Sequence, residues 1–276
     1  MNDTRHISAE HPAYQLIHGE PAERTTATGS PRIKIIRLHG EEELAGLVEH
    51  EIQTNRPDLL QYVDYEDGNP KASALGVRSQ NPELDDLNRS FNLTKEHPRY
   101  ASPEREIADR LQTALQAYDY VLDLHTSDSE CGRFFLAARP HHPAVEDIIA
   151  CSPIDQIVVM PPHIAGPSLI GNVGRSISIE YNEVLAHTPE AISEIIQTID
   201  GLIAGSPQHS QPRERYFYYV DDAVPKSEDP GDVHNFEFCE AGYYPVLFGE
   251  GPKSYRNDPS KTYLGFAATR REVVML

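Results

Sequence analysis

Apolar positions in this chain follow two periods, and the two alternate along most of its length. Ile33, Ile35, Ile36 and Leu38 predict a strand over residues 33–38, whereas Leu44, Leu47, Val48 and Ile52 fall at helical spacing within residues 41–54. Strand-like runs return at 120–124, 134–138 and 157–160. Helical spacing returns over 104–118, through Ile107, Leu111, Ala114, Leu115 and Tyr118, and over 189–205, through Ile192, Ile195, Ile196, Ile199, Leu202 and Ile203. Ser176-Ile177-Ser178-Ile179 alternates as a strand does. Strands separated by helices imply βαβ units, so the expected class is α/β: a mostly parallel or mixed sheet with helices on both faces.

The two ends differ from this middle. Residues 1–31 are polar and read as an irregular N-terminal extension, and 32–207 carry the α/β pattern. Ser206 to Pro212 is a polar, proline-bearing joint. Beyond it, 213–276 are rich in Tyr, Phe and Val without helical period and read as a small C-terminal β-rich domain. Tyr216-Phe217-Tyr218-Tyr219 suits packing within that domain, from which a tyrosine could still reach a substrate.

Composition narrows the class of function. With 276 residues, 39% hydrophobic and 24% charged, the chain can bury a full core. A net charge of -19 with scattered Lys and Arg excludes the clustered basic surface that nucleic acid requires, and would repel an anionic membrane. Cys131, Cys151 and Cys239 stand singly, which indicates neither a zinc knuckle nor a disulfide scaffold and fits a reducing compartment. The first residues show no basic segment followed by an apolar stretch, and no run approaches the ~20 apolar residues of a membrane span. The expectation is a cytoplasmic protein; the sequence leaves its oligomeric state open, a homo-oligomer included.

Candidate chemistry sits where strands end. His39-Gly40-Glu41-Glu42 follows the first apolar run directly, and Asp123-Leu124-His125-Thr126 closes another. Catalytic zinc takes three protein ligands from imidazole and carboxylate and leaves a fourth position open; His2Glu is one such set. Ligands at the carboxyl ends of neighbouring parallel strands would converge, which makes His39, Glu42 and His125 a candidate zinc site with one ion per chain. Thirteen histidines make chance His-x-x-Glu pairs common, so the context of that pair matters more than the pair itself. His141-His142 reads as a solvent-facing loop pair, and His163 either lines the pocket mouth or is an ordinary loop residue.

The context is an ordered series: His39-Gly40-Glu41-Glu42, Asn69-Pro70-Lys71-Ala72, Asp86-Leu87-Asn88-Arg89-Ser90-Phe91 and Asp123-Leu124-His125-Thr126. It resembles the succinylglutamate desuccinylase and aspartoacylase family, relatives of zinc carboxypeptidases, over about residues 33–180 and more loosely beyond. The resemblance implies a zinc carboxypeptidase-like fold with zinc on His39, Glu42 and His125. It makes Asn88 and Arg89 the substrate-carboxylate binders, for which a guanidinium fork is chemically apt. The plainer role for Arg89 is a structural salt bridge to Asp85 or Asp86.

A general base must take a proton from metal-activated water and hand it to the leaving amine. Glu180 ends the alternating run 176–179 and resembles the family's strand-end base; Glu183 falls beyond the alternation. The family also places an arginine beside the developing oxyanion, and Arg78 matches it if a short insertion lies around residues 79–82. His234-Asn235-Phe236 with Val246-Leu247-Phe248-Gly249 resembles core strands of the family's C-terminal appendage. One departure stands out: residues 164–172 lack the tyrosine and arginine with which the aspartoacylase branch holds a second carboxylate. Arg175 could compensate or could be a loop contact, so N-acetylaspartate is not the first choice of substrate.

The resemblance implies a zinc-dependent amidohydrolase, a deacylase that hydrolyses the amide bond of a small N-acyl amino acid. Two alternatives remain open at this level: a zinc carboxypeptidase acting on a short peptide, and a non-catalytic metal-binding relative.

Overall fold

The computed structural model describes residues 29–80, 86–127, 131–206, 213–251, 254–259 and 261–276. The N-terminal extension up to residue 28, Asp85, the insertion from residue 81 on, and most of the joint before residue 213 lie outside the described residues. Strand β1 (Ile33–Arg37) is buried from Ile33 to Ile36, because successive side chains point to opposite faces and both faces are covered. Ile33 and Ile35 pack with Leu44, Val48 and Ile52 of α1 (Leu44–Asn55) and with Ile195 and Ile199 of α8 (Pro189–Ala204). Ile36 packs on the other face with Ala108 and Leu111 of α3 (Pro103–Ala114) and with Leu169.

Among the described residues nine strands form one sheet in the order β2-β1-β3-β6-β4-β5-β7-β9-β8. The remaining strands are β2 (Val63–Asp67), β3 (Tyr120–Ser127), β4 (Arg133–Ala137), β5 (Gln156–Val159), β6 (Ser176–Asn182), β7 (Glu214–Pro225), β8 (Tyr244–Val246) and β9 (Tyr263–Met275). Pairing is parallel across β2-β1-β3-β6 and across β4-β5-β7, and antiparallel at β6-β4, β7-β9 and β9-β8. The expected class, α/β with a mostly parallel sheet covered on both faces, is what the chain adopts.

Local chemistry sets the helix limits. α3 starts after Ser102, whose hydroxyl accepts from Arg105 N, with Pro103 in the first turn. Its apolar period continues to Tyr118, but the chain tightens into a 3-10 turn at Leu115–Ala117. α8 starts after the capping hydroxyl of Thr188 and stops at Gly205, which takes the left-handed φ of 63°. α1 begins only at Leu44, because residues 39–43 form the turn that aims His39 and Glu42. The shorter helices are α2 (Pro70–Leu75), α4 (Pro143–Cys151), α5 (Pro162–Ala165), α6 (Leu169–Asn172) and α7 (Glu183–Ala186). None of the described helices is long and apolar enough to cross a membrane.

Residues 213–276 are β-rich, and their strands extend the same sheet. Tyr216 to Tyr219 of β7 pair with β5, so hydrogen bonding runs unbroken from residues 32–206 into this segment. From Tyr219 on, β7 shifts register against β9 at several places. Phe217 and Tyr218 of the tyrosine-rich run are buried, in keeping with packing. His234-Asn235-Phe236 is a turn, with Phe236 at φ 67°, where a strand was expected. Asn235 replaces the missing ladder: its amide donates to Phe248 O at 2.8 Å and its Oδ1 accepts from Phe248 N at 2.9 Å.

Candidate metal centre

Parallel pairing of β1 with β3 sets Ile36 beside Asp123, so the end of β1 lies level with the segment of β3 that carries His125, and the turn after β1 does the rest. Gly40 makes that turn possible: a Cβ there would lie 2.3 Å from the backbone of Ala72 and Ser73 at the end of the Asn69-Pro70-Lys71-Ala72 segment. Glu42 follows, and its two oxygens face two imidazoles. His39 Nδ1 is 2.9 Å from Glu42 Oε1, and His125 Nδ1 is 2.9 Å from Glu42 Oε2. All three side chains are buried, and one ligand atom from each lies within 4.8 Å of the others.

Each imidazole has a second carboxylate behind it. His39 Nε2 is 3.0 Å from Asp86 Oδ1, and His125 Nε2 is 2.8 Å from Asp123 Oδ2. A neutral imidazole carries one N–H, so it can donate to one of its two carboxylates and not both. If Asp86 and Asp123 take those protons, both Nδ1 lone pairs face the Glu42 oxygens, acceptor against acceptor. Either both rings hold an extra proton or a cation stands among the three groups. Two imidazoles and a carboxylate with outer carboxylates fixing the tautomers make a donor set that suits a divalent ion such as zinc. The electrostatics agree in direction. Burial works against charge on His125, yet Asp123, Glu42 and Glu180 together hold its pKa well above the ordinary value. Burial likewise works against Glu42, and His39 and His125 hold its carboxyl far below the usual range.

Glu180 stands beside this set. It is the register partner of His125 across β3 and β6, and it lies within β6, which runs on to Asn182. Glu183 falls in α7. Glu180 is 8% exposed, and its side chain makes no hydrogen bond with a described residue. Burial pushes its carboxyl up to about 7; His125 opposes that rise, and Glu42 and Asp123 add to it. A carboxylate poised near neutral pH with its oxygens unengaged has the properties of a general base.

The substrate-side candidates come together on the 3-10 turn Leu87–Arg89. Asn88 Nδ2 lies 3.4 Å from His125 Nε2, and its Oδ1 accepts from Leu169 N at 3.0 Å. Arg89 forms no ion pair with Asp86, and Asp85, the other partner of its plainer reading, lies outside the described residues; among the described residues its guanidinium makes one hydrogen bond, to the Asn88 carbonyl at 2.7 Å. Arg78, 43% exposed at its side chain, reaches the rim of the site. Its Nε and Nη2 donate to Asp86 Oδ2 at 3.1 and 3.0 Å, and its Nη1 lies 3.9 Å from Glu42 Oε1.

Other expectations fall elsewhere. Arg175 precedes β6, at the opposite end of that strand from Glu180, and donates to Tyr118 O at 2.6 Å, so it is a loop contact. His142 caps α4 through Ala144 N, and His163 is exposed on α5. Sequence reasoning missed Asp86 and Asp123 as partners of the histidines. Asp123 was findable, since a residue two before His125 in a strand shares its face. Ser178, which donates to Asp123 Oδ2 at 2.9 Å, needs the β3–β6 register to be found. Tyr255 also belongs here. Burial pushes its phenol up to about 12, and Arg89, Glu180 and Arg78 are among the charges that surround it.

Residues 66–160 match the family model of the succinylglutamate desuccinylase/aspartoacylase catalytic domain. No curated protein matches the sequence. Among solved structures, murine aminoacylase 3 is similar with a TM-score of 0.62 at 18% identity, covering 91% of this chain and 98% of its own. The succinylglutamate desuccinylase from Chromobacterium violaceum gives a TM-score of 0.61 at 16% identity, covering 90% of this chain and 86% of its own. An aspartoacylase family protein from Mesorhizobium loti gives 0.52 at 16% identity, covering 90% and 82%. The family resemblance carried by the sequence motifs is thus met again in the family model and in the fold.

Proposed function

We propose that this protein is a zinc-dependent deacylase that hydrolyses the amide bond of a small N-acyl amino acid. The observation that carries the reading is the convergence of His39, Glu42 and His125 beside Glu180, a buried carboxylate with no hydrogen-bond partner among the described residues. A non-catalytic metal-binding protein has no chemical need for that carboxylate, since an unpaired buried acid costs stability. The matching family model and the names of the similar structures support the same reaction class.

His39 Nδ1, His125 Nδ1 and one Glu42 oxygen would hold the metal. When bound, zinc supplies a Lewis acid and lowers the pKa of water to roughly 7. Glu180 takes the proton of the attacking water and then delivers it to the departing nitrogen, so the amide is replaced by a carboxylate and a free amine. Arg89 holds the substrate carboxylate through the donors that no described residue takes, and Asn88 orients it. Arg78 keeps Nε and Nη2 on Asp86 and offers Nη1, 3.9 Å from Glu42 Oε1, to the developing oxyanion. Residues 213–276, read as an appended domain, carry Tyr255, whose neighbouring charges include Arg89, Glu180 and Arg78, and such an appendage favours small substrates over peptides. The acidic chain acts in the cytoplasm on a small molecule.

The test is hydrolysis of acetyl, formyl and succinyl amino acids by zinc-loaded protein, with short peptides as comparators. Release of free amino acid, abolished by chelation and by Glu180→Gln, is expected. Peptide cleavage with silence on acyl amino acids would move the assignment to carboxypeptidase.

A further inference from the structure

Asp86 accepts from more groups than a turn requires. Its Oδ1 takes His39 Nε2 at 3.0 Å and the backbone N of Asn88 at 2.8 Å; its Oδ2 takes both Nε and Nη2 of Arg78. Its own carbonyl accepts from Arg89 N at 2.9 Å and Ser90 Oγ at 2.8 Å. Extended backbone at Asp86, φ -140° and ψ 120°, is the usual geometry of a capping residue, and the 3-10 turn it caps carries Asn88 and Arg89. One oxygen atom therefore serves a candidate metal ligand and the turn proposed to grip the substrate.

That sharing has a thermodynamic consequence. Holding the proton of His39 on Nε2 leaves Nδ1 free for a metal, and it does so only while the Asp86 carboxylate stays where the turn places it. Conversely, a ring fixed by a metal fixes the donor to Oδ1 and so the cap. Coupling between two such sites is reciprocal. Resting on the metal and substrate roles proposed above, we infer that Asp86 is a positioning residue that couples metal occupancy to the order of the Asn88–Arg89 turn. The carboxylate grip is completed when the metal arrives, and the metal-free protein binds carboxylate substrate weakly. Arg78 anchors the far oxygen of Asp86 and keeps the carboxylate from rotating away from His39.

The experiment uses the full chain and zinc alone. Backbone hydrogen exchange at residues 88–90 is followed in metal-free and zinc-loaded protein, and zinc affinity is measured by competition with a chelator. In the wild type, zinc slows exchange at these amides about tenfold or more. In Asp86→Ser, a side chain that can still cap Asn88 N but cannot reach His39, the slowing falls below twofold and zinc binds 10–100-fold more weakly, the usual effect of losing an outer-shell partner. Deacylase kinetics give the third readout: Asp86→Ser raises KM in addition to lowering kcat at saturating zinc, whereas a defect confined to metal affinity would vanish there. Unchanged exchange in a wild type that takes up zinc overturns the coupling and leaves the metal reading intact. The same holds for an Asp86→Ser protein that responds to zinc as the wild type does. A wild type that takes up no zinc overturns the metal reading and the coupling together. The wild-type comparison decides the matter even if the variant fails to fold.

Discussion

His125 Nε2 lies 2.8 Å from Asp123 Oδ2, and Ser178 Oγ donates to the same oxygen at 2.9 Å. The aspartate is fully buried, and its other oxygen, Oδ1, has no hydrogen-bond partner among the described residues. Two donors thus fix one oxygen, and that oxygen fixes which ring nitrogen of His125 turns toward Glu42. Asp123→Asn presents an amide that can offer its NH2 to a ring nitrogen and so favour the opposite tautomer. Zinc affinity should fall about 10–100-fold in this variant, read by chelator competition, with thermal melting reporting the fold separately. Unchanged affinity would show that the tautomer is set by other means.

Burial raises the carboxyl of Glu180 into the range where activity can be measured. Its carboxyl is pushed up to about 7 by burial, and only the ionised form can accept a proton. The rate should therefore rise with pH and level off once Glu180 is ionised. A divalent ion at the three ligands adds to the lowering already exerted by His125, so the acid limb of kcat/KM in the loaded enzyme lies at or below about 7. Glu180→Gln should lose about 10²–10⁴-fold in kcat and its acid limb, while zinc content stays at the wild-type level. A variant that keeps the limb would assign it to another group.

Arg89 holds donors that no described carboxylate satisfies, and Asn88 O takes only one of them. A substrate carboxylate gripped by a guanidinium fork is held through two parallel bonds, and an ammonium cannot reproduce that geometry. Arg89→Lys should raise KM for acyl amino acids with kcat less affected. Charge-assisted hydrogen bonds of about 1.5–3 kcal/mol put the loss in kcat/KM at about 10–100-fold. Equal kinetics on an N-acyl amine without a carboxylate, compared between wild type and variant, would confirm that the carboxylate is what Arg89 reads.

The parts of this protein legible in its sequence are those governed by local periodicity and by short motifs. Ile33, Ile35 and Ile36 mark β1, and the long apolar period of residues 189–204 marks α8, because each element buries its own stripe. The grouping of His39, Glu42 and His125 was legible from short motifs, although His125 lies within β3 and not at its end. Pairing partners were not legible. That β4 runs antiparallel to β6, which sets Phe134 opposite Glu180, depends on contacts between segments far apart in sequence. So do the Asp86–His39 contact and the continuation of the sheet into β7. Of the two readings open for Arg175 the loop contact is the one seen, because the strand between it and Glu180 carries the two toward opposite ends of β6.

Gly40 offers a test that separates packing from ligand chemistry, since it binds nothing itself. A Cβ at this position would meet Ala72 C and Ser73 N at 2.3 Å and Val77 O at 2.6 Å, all backbone atoms that no rotamer change can move. The segment that must give way is the one that leads to Arg78, whose carbonyl accepts from Gly40 N at 3.4 Å. Overpacking of this kind costs about 1–3 kcal/mol when the surroundings can shift. Gly40→Ala should therefore lower the urea midpoint with little change in slope, because the surface exposed on unfolding is the same. It should also weaken zinc binding, since displacement of the turn carries His39 and Glu42 away from His125. Zinc added in excess should then restore part of the lost stability, as any ligand bound only by the folded state does. A Gly40→Ala protein with wild-type stability and zinc affinity would mean that this turn tolerates a side chain, and that the close approach to α2 is not what positions the ligands.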